Sequence, residues 1–420
     1  MSDELEGTVR DLSRFGDAVV KTEKGLVFAR GALPGERVKL GGVRKQGKVL
    51  RAERVQVVDA STQRVDPVCP IVGRCGGCPL MIGSPPLQAQ YRRGLLSAAV
   101  AGLPGAEEAP LRWRGTKQTM GYRMRARIRW ENRGKGLRYG FRGARSDRVA
   151  DIRSCAVLHP TLDIAQAAIR RTVGAHLAGS GEVHLAMGEG GFAVAALRSE
   201  DAQPPELYTA AAGLVSDGPL SGLALRVGGA TTDVVHGDPR EFRAARDGEP
   251  LVGTVAGFSQ AHDEVNRALV DTVVELAAPA DRHVLELFAG AGNLTVALAP
   301  DTKSMVAVEL DEHAAAACRE NLRRRDLTVT VRTDDAETFR AKERPDVVVL
   351  DPPRAGAPMA VKKIAKLAVP TVVYVSCDPP TLRRDLSFLA EAGYRITDVV
   401  GLDMFPQTAH LESVVRLQAT

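Results

Sequence analysis

The stretch Val284-Leu285-Glu286-Leu287-Phe288-Ala289-Gly290-Ala291-Gly292-Asn293 decides the fold. An apolar run feeds two glycines, which let the backbone turn tightly and approach a nucleotide without Cβ collisions. Glu309 ends the next apolar run, nineteen residues past Gly290, about where an acid meets ribose hydroxyls in nucleotide-binding sheets. A pyrophosphate-gripping loop is poorly supported, because glycines are few and Glu286 and Glu309 would repel it. A cationic, phosphate-free cofactor fits better, which favours S-adenosylmethionine over NAD. The expected cofactor contacts are Glu286, Phe288, Gly290, Gly292, Asn293, Glu309, either Asp334 or Asp335, and Asp351.

Outward from this loop, apolar strands alternate with amphipathic helices from about residue 257 onward. Strands are expected at 283–288, 304–309, 327–332, 346–350, 371–375, 395–402 and 413–417, and helices at 265–277, 292–299, 312–324, 360–368 and 381–392. That alternation predicts an α/β, Rossmann-like, doubly wound parallel sheet. Asp351-Pro352-Pro353-Arg354 follows the run Val347–Leu350, and its prolines fix a rigid exit in the ligand crevice of an open sheet. Downstream, Ser376-Cys377-Asp378-Pro379 follows Val372–Val375, and Glu412 closes Phe405-Pro406-Gln407-Thr408-Ala409-His410-Leu411-Glu412. A thiolate at Cys377 could add to carbon 6 of a uracil, and a carboxylate at Glu412 could later remove the carbon-5 proton. A helix N-terminus at Pro379 is expected to lower the thiol pKa, and shielding by Leu411 and Val414 to raise that of Glu412. Cys318, inside an alanine run, reads as a small buried hydrophobe.

The chain has 420 residues, 44% apolar and 25% charged, with a net charge of +5. That length suits two or three domains. Residues 5–58 read as five short strands between Gly and Pro turns, an OB-like barrel. Charge distribution says more than net charge: thirteen Lys or Arg lie between Arg112 and Arg148 against Glu131 and Asp147. Within this segment Tyr122, Met124, Ala126, Ile128 and Trp130 alternate with Arg123, Arg125, Arg127 and Arg129, placing four guanidinium groups on one strand face. Such a face attracts RNA phosphates. Residues 163–177 read as helix, and 183–197 and 223–227 as strand. Cys69, Cys75 and Cys78, with Gly76 and Gly77 between the last two, can wrap a metal, and Cys155 supplies a fourth thiol; spacing leaves zinc and a 4Fe–4S cluster both open. The amino terminus lacks a signal-peptide core and no apolar run is long enough for a membrane span. A cytoplasmic chain is expected.

Taken together, these residues resemble the RNA uridine-5-methyltransferase family, most closely its members acting on 23S ribosomal RNA, over nearly the whole chain. The resemblance rests on Asp-Pro-Pro-Arg, Ser-Cys-Asp-Pro, Phe-Pro-x-Thr-x-His-x-Glu and Phe258-Ser259-Gln260. It implies that Cys377 is the nucleophile, Glu412 the base, Asp351 the substrate-positioning aspartate and Gln260 a cofactor contact. It also implies a TRAM barrel at 1–58 and a central domain at 59–250. There Cys69, Cys75, Cys78 and Cys155 would hold a 4Fe–4S cluster, and a catalytic domain follows at 251–420. Glu286 stands where an aspartate is usual, Ala289 where a cysteine is, and His262 replaces a frequent asparagine. The expected protein is a monomeric, membrane-free methyltransferase acting on carbon 5 of a uridine in RNA. The rivals are the same reaction on tRNA, adenine amino-group methylation, and a non-catalytic RNA-binding protein with a vestigial domain.

Overall fold

The computed structural model describes residues 4–134 and 136–420; Met1, Ser2, Asp3 and Lys135, which entered the terminal and charge readings, lie outside the described residues. Two compact units are present, one comprising residues 1–95, 140–156 and 405–410, the other 96–139, 157–404 and 411–420.

In the first unit, seven strands form one barrel-like sheet where five were expected. Its core strands are Leu5–Leu12, Ala18–Thr22, Gly25–Ala29 and Arg37–Gly41, flanked by Arg44–Gln46, Val49–Arg51 and Arg54–Asp59. The two extra strands are Arg44–Gln46 and Arg54–Asp59, whose side chains are all exposed or half-buried, so neither presents a buried apolar face. Leu5, Val9, Val20, Val27, Val38 and Leu40 interleave with polar neighbours and bury one face around Leu80. Each such side chain contributes about 1.5–3 kcal/mol through burial. Buried Glu36 receives Arg64 on both carboxylate oxygens, at 2.6 and 2.7 Å, and so tethers the chain leaving the barrel. The 405–410 loop is held in this unit by two buried polar side chains: Gln88 Nε2 donates to Gln407 Oε1 at 2.8 Å, and Arg92 Nη1 to the Thr408 carbonyl at 3.0 Å.

In the second unit, Arg125–Asn132, Gly179–Met187, Ala193–Ser199, Leu220–Val227 and Val234–Gly237 lie in that order in one sheet. The expected single strand at 183–197 is two antiparallel strands, because Gly190 and Gly191 take positive φ and reverse the chain. Helix Pro160–Thr172 replaces the longer expected segment, and Pro205–Ser216 is a helix the sequence reading did not name.

The largest sheet has eight strands, ordered Thr330–Thr333, Ser304–Glu309, His283–Leu287, Val347–Leu350, Thr371–Ser376, Glu412–Ala419, Tyr394–Leu402 and Leu111–Arg114. Val347–Leu350 and Val372–Val375 are wholly buried, as a sheet covered on both faces requires. One correction concerns direction: Glu412–Ala419 runs antiparallel to both neighbours, so the sheet is mixed. Another concerns its edge, where Leu111–Arg114 pairs with Tyr394–Leu402 because Gly401 leaves room for the Trp113 ring. The expected helix at 292–299 shrinks to Thr295–Leu298 followed by a 3-10 turn, since Pro300 lacks the amide that would continue it. No helix among the described residues is long and apolar enough to cross a membrane.

Candidate active site

Strand register brings the chemistry together. Ser376 pairs with Ser413 at the end of the antiparallel ladder, and Ser413 Oγ donates to the Ser376 carbonyl at 2.9 Å. Cys377 follows one member of that pair and Glu412 precedes the other, so both emerge at the same edge. Leu350 pairs in parallel with Tyr374, which delivers Asp351 to that edge as well. Parallel strands present their carboxy ends here, whereas the reversed strand presents its beginning.

Cys377 is half-buried and free. Asp378 caps the following helix, Pro379–Glu391, by accepting from the Thr381 amide. Despite that helix start, burial pushes the Cys377 thiol up to about 12, the negative charge of Glu412 adding to it and Arg354 opposing it. The lowered thiol expected from the helix dipole is not found, because desolvation and neighbouring carboxylates outweigh a partial charge. Arg354 is the residue that sequence reasoning passed over: its guanidinium hydrogen-bonds Cys377 and faces Glu412. Its place as the fourth residue of the Asp-Pro-Pro-Arg turn was the available signal. Glu412 is 2% exposed, its Oε1 lacks a hydrogen-bond partner, and burial followed by the Asp351 charge raises its pKa well above the usual carboxylate range. Buried Asp385 fixes the surroundings by accepting from the Ala357 amide at 2.7 Å and from Tyr374 Oη at 2.6 Å. It thus ties the Asp351–Arg354 turn to the strand and helix that flank Cys377.

A cavity beside this edge is lined by Gln260, Glu286, Phe288, Gly290, Asn293 and Asp351 among others. Gly290 and Gly292 have φ of +57° and +93°, and a Cβ at Gly292 would lie 3.0 Å from Cys318 Sγ. That explains both glycines and the buried cysteine. Asn293 and Asn266 exchange side-chain hydrogen bonds of 3.0 and 2.9 Å. Gln260 Nε2 donates to Asp351 Oδ2 at 3.4 Å, while Gln260 Oε1 and Glu286 Oε2 are buried without hydrogen-bond partners. Orphaned acceptors in a carboxylate-rich cavity suit a cationic, hydroxyl- and amine-bearing ligand such as S-adenosylmethionine. Glu309 accepts from the Gly290 and Asp311 amides, both at 2.8 Å. It braces the glycine loop and retains lone pairs for a ribose. Asp334 accepts from the Asp335 amide, and Asp335 from that of Glu337; both lie at the end of the neighbouring strand Thr330–Thr333, outside the cavity lining.

Two further lining residues, Glu241 and Arg243, come from the hairpin of Arg240–Ala244 and Pro250–Thr254. Arg243 donates to the Gln260 carbonyl at 2.9 Å, and Ser259 Oγ to Glu241 at 2.6 Å. The Asp247-Gly248 turn could have signalled this hairpin, but it fell at an expected domain boundary.

Burial lifts Glu286 from its ordinary 4.5 to about 8. The folded state therefore keeps a proton that the unfolded chain releases, and stability falls as pH rises from about 4.5 toward about 8. Melting followed from pH 5 to 8 should show this decline, and Glu286→Gln should flatten it. An unchanged slope would show that Glu286 does not carry the effect.

The four arginines expected on one face diverge. Arg125 Nη1 reaches Ser259 Oγ at 3.1 Å, Nη2 meets the Gly257 carbonyl, and the guanidinium lies over the Phe258 ring at 5.9 Å. It therefore holds the loop carrying Gln260. Arg123 Nε donates to the Arg125 carbonyl at 3.1 Å. Arg127 and Arg129 share Glu182 on the paired strand, with Arg127 still 61% exposed. Cys69, Cys75, Cys78 and Cys155 are all half-buried and in the first unit. The turn carrying two of them is pinned by Gly76 N to the Arg142 carbonyl at 2.9 Å. Among the described residues, no three His, Cys, Asp or Glu are gathered closely enough to hold a metal ion.

A family model described as tRNA (Uracil-5-)-methyltransferase matches residues 254–420. The 23S rRNA (uracil(1939)-C(5))-methyltransferase RlmD of Klebsiella pneumoniae subsp. pneumoniae is 36% identical, across 97% of this chain and 94% of that one. Its namesake from Halomonas elongata is 34% identical, across 98% and 89%. The crystal structure of Pyrococcus abyssi tRNA (uracil-54, C5)-methyltransferase in complex with S-adenosyl-L-homocysteine superposes with a TM-score of 0.77 at 23% identity. It covers 98% of this chain and 100% of that one, a shared fold throughout.

Proposed function

This chain belongs to the RNA uracil-5-methyltransferase family, and from that membership we propose that it methylates carbon 5 of a uridine in 23S ribosomal RNA through a covalent cysteine adduct. The carrying observation is the Ser376–Ser413 register, which sets Cys377 and Glu412 at one sheet edge with Asp351. When bound, S-adenosylmethionine supplies the methyl group as a sulfonium electrophile. Cys377 attacks carbon 6, which pushes electron density onto carbon 5, the atom that takes the methyl. Glu412 then removes the carbon-5 proton, the carbon–sulfur bond breaks, and the thiolate leaves with the ring double bond restored. Arg354 stabilises the thiolate, and Asp351 orients the ring edge while Gln260 holds Asp351. A target uridine must leave its stack to expose its face to Cys377.

Near-full-length identity to relatives named for 23S rRNA favours that target, whereas the family model's description and the structural neighbour name tRNA. Nucleoside analysis separates the two. Purified protein and labelled cofactor should give 5-methyluridine in 23S rRNA and none in tRNA. Label in tRNA alone would overturn the target, and N6-methyladenosine would overturn the chemistry.

The division into a TRAM-type barrel at 1–58, a central domain at 59–250 and a catalytic domain at 251–420 belongs to the same proposal. So does RNA contact by Arg123, Arg127 and Arg129; Arg125 serves the cofactor loop in this reading. Four thiols with no carboxylate in the set fit the donor chemistry of a 4Fe–4S cluster, which Cys69, Cys75, Cys78 and Cys155 would hold, with zinc the alternative. Anaerobically purified protein should contain about four iron and four sulfide per chain. One zinc without sulfide would decide for the alternative.

A further inference from the structure

A cavity of about 480 Å³ in the first unit is separate from the cofactor cavity. Arg30, Arg51 and Arg145 line it, with Phe15 at one side and Thr408 and His410 at another. Beneath the arginines lies Asp17, 1% exposed. Arg30 and Arg51 each stand 3.6 Å from its carboxylate, and Arg145 pairs with it directly. One carboxylate thus faces three guanidinium groups, which leaves a net charge of about +2 on the wall of a partly enclosed space. The hydrogen bonding is likewise incomplete. Arg30 Nε and Nη1 and Arg51 Nη1 are buried with no hydrogen-bond acceptor among the described residues. Buried donors of this kind are costly unless an acceptor reaches them. Asp17 holds the three forks in place, and Arg51 is further fixed over the Phe28 ring at 5.4 Å.

An anion with several acceptor oxygens matches this arrangement, since guanidinium forks fit phosphate geometry. The aromatic neighbour narrows the class. Phe15 is 55% exposed, and Arg14 covers its ring at 4.5 Å, a platform on which an unstacked base can lie. No cysteine lines the cavity, although Gly76 and Gly77 do. The cavity thus borders the thiol set, whose Cys75 acts on Arg30 electrostatically.

We propose that this cavity binds one nucleotide of the RNA substrate other than the target uridine, its phosphate on Arg30, Arg51 and Arg145 and its base on Phe15. The inference rests on the RNA-modifying reading above. Thr408 and His410 line the same cavity and stand just before Glu412 in the chain.

Full-length Phe15→Ala and Arg145→Gln proteins test this by direct binding of a 23S rRNA transcript at several salt concentrations. Each should bind about tenfold more weakly, with S-adenosylmethionine affinity unchanged. Arg145→Gln should also lower the salt slope by about 0.7, the value for one lost single-strand phosphate contact. Phe15 is exposed, so its variant folds even if loss of Arg145 disturbs Asp17, and it then decides alone. Unchanged transcript affinity in Phe15→Ala overturns the proposal. So does a cavity that takes inorganic phosphate, seen as competition lost in Arg145→Gln, while transcript affinity is untouched. Binding is read without methyl transfer. A transcript that binds through these residues yet stays unmethylated would sink the functional reading and leave this one standing.

Discussion

Cys377→Ala is expected to abolish methyl transfer, lowering kcat by about 10⁴-fold or more, while cofactor affinity stays unchanged. Cys377 does not line the cofactor cavity, so its removal takes the nucleophile and leaves the binding site. Its thiol sits at about 12, which at pH 8 leaves a thiolate fraction of only about 10⁻⁴ in the free protein. The surroundings must supply the rest. Arg354 opposes the rise through its hydrogen bond and its charge, and neutralising Asp351 or Glu412 would remove the smaller share of it that their charges add to burial. Alkylation by iodoacetamide checks this independently: the rate at Cys377 should fall further in Arg354→Ala. Residual turnover in Cys377→Ala above one part in about a thousand would remove the covalent mechanism.

The second large effect is expected at Glu412. Glu412→Gln keeps shape and burial but cannot take the carbon-5 proton. The ring is methylated once and then held on Cys377, so a protein–RNA band should persist on a denaturing gel while turnover drops by about 10²–10⁴-fold. The double variant with Cys377→Ala should show no band. The wild type adds a pH signature. Glu412 must be ionised to accept a proton and its pKa is raised by burial and by Asp351, so activity should climb as pH rises through that elevated value. A flat profile, or a band that forms without Cys377, would assign the base elsewhere.

How much of this was legible in the sequence depends on which force set each feature. Val347–Leu350 and Val372–Val375 are buried on both faces and read directly as strands. The glycines at 290 and 292 stand out because positive φ excludes most other residues. Strand direction left no such trace, since an apolar run reads the same parallel or antiparallel. The reversal of Glu412–Ala419 was therefore invisible, although it is what brings Glu412 to Cys377. Leu111–Arg114 is only four residues long and joins the catalytic sheet through one glycine nearly 290 residues away, at Gly401. Arg125 was correctly placed on a strand, but its guanidinium serves the loop at 257–259 because three acceptors converge there. Asp385 carries no motif of its own, and only the tertiary fold turns it inward.

The reversed strand has one more consequence, for the order in which the protein is made. Glu412–Ala419 lies between Thr371–Ser376 and Tyr394–Leu402, both of which leave the ribosome before it. Until it is made, neither of those strands has its partner on the facing side. That strand enters between them and carries Glu412 with it. A nascent chain thus has its cofactor loop and its thiol before it has its base, so the complete catalytic pair forms only when the sheet closes.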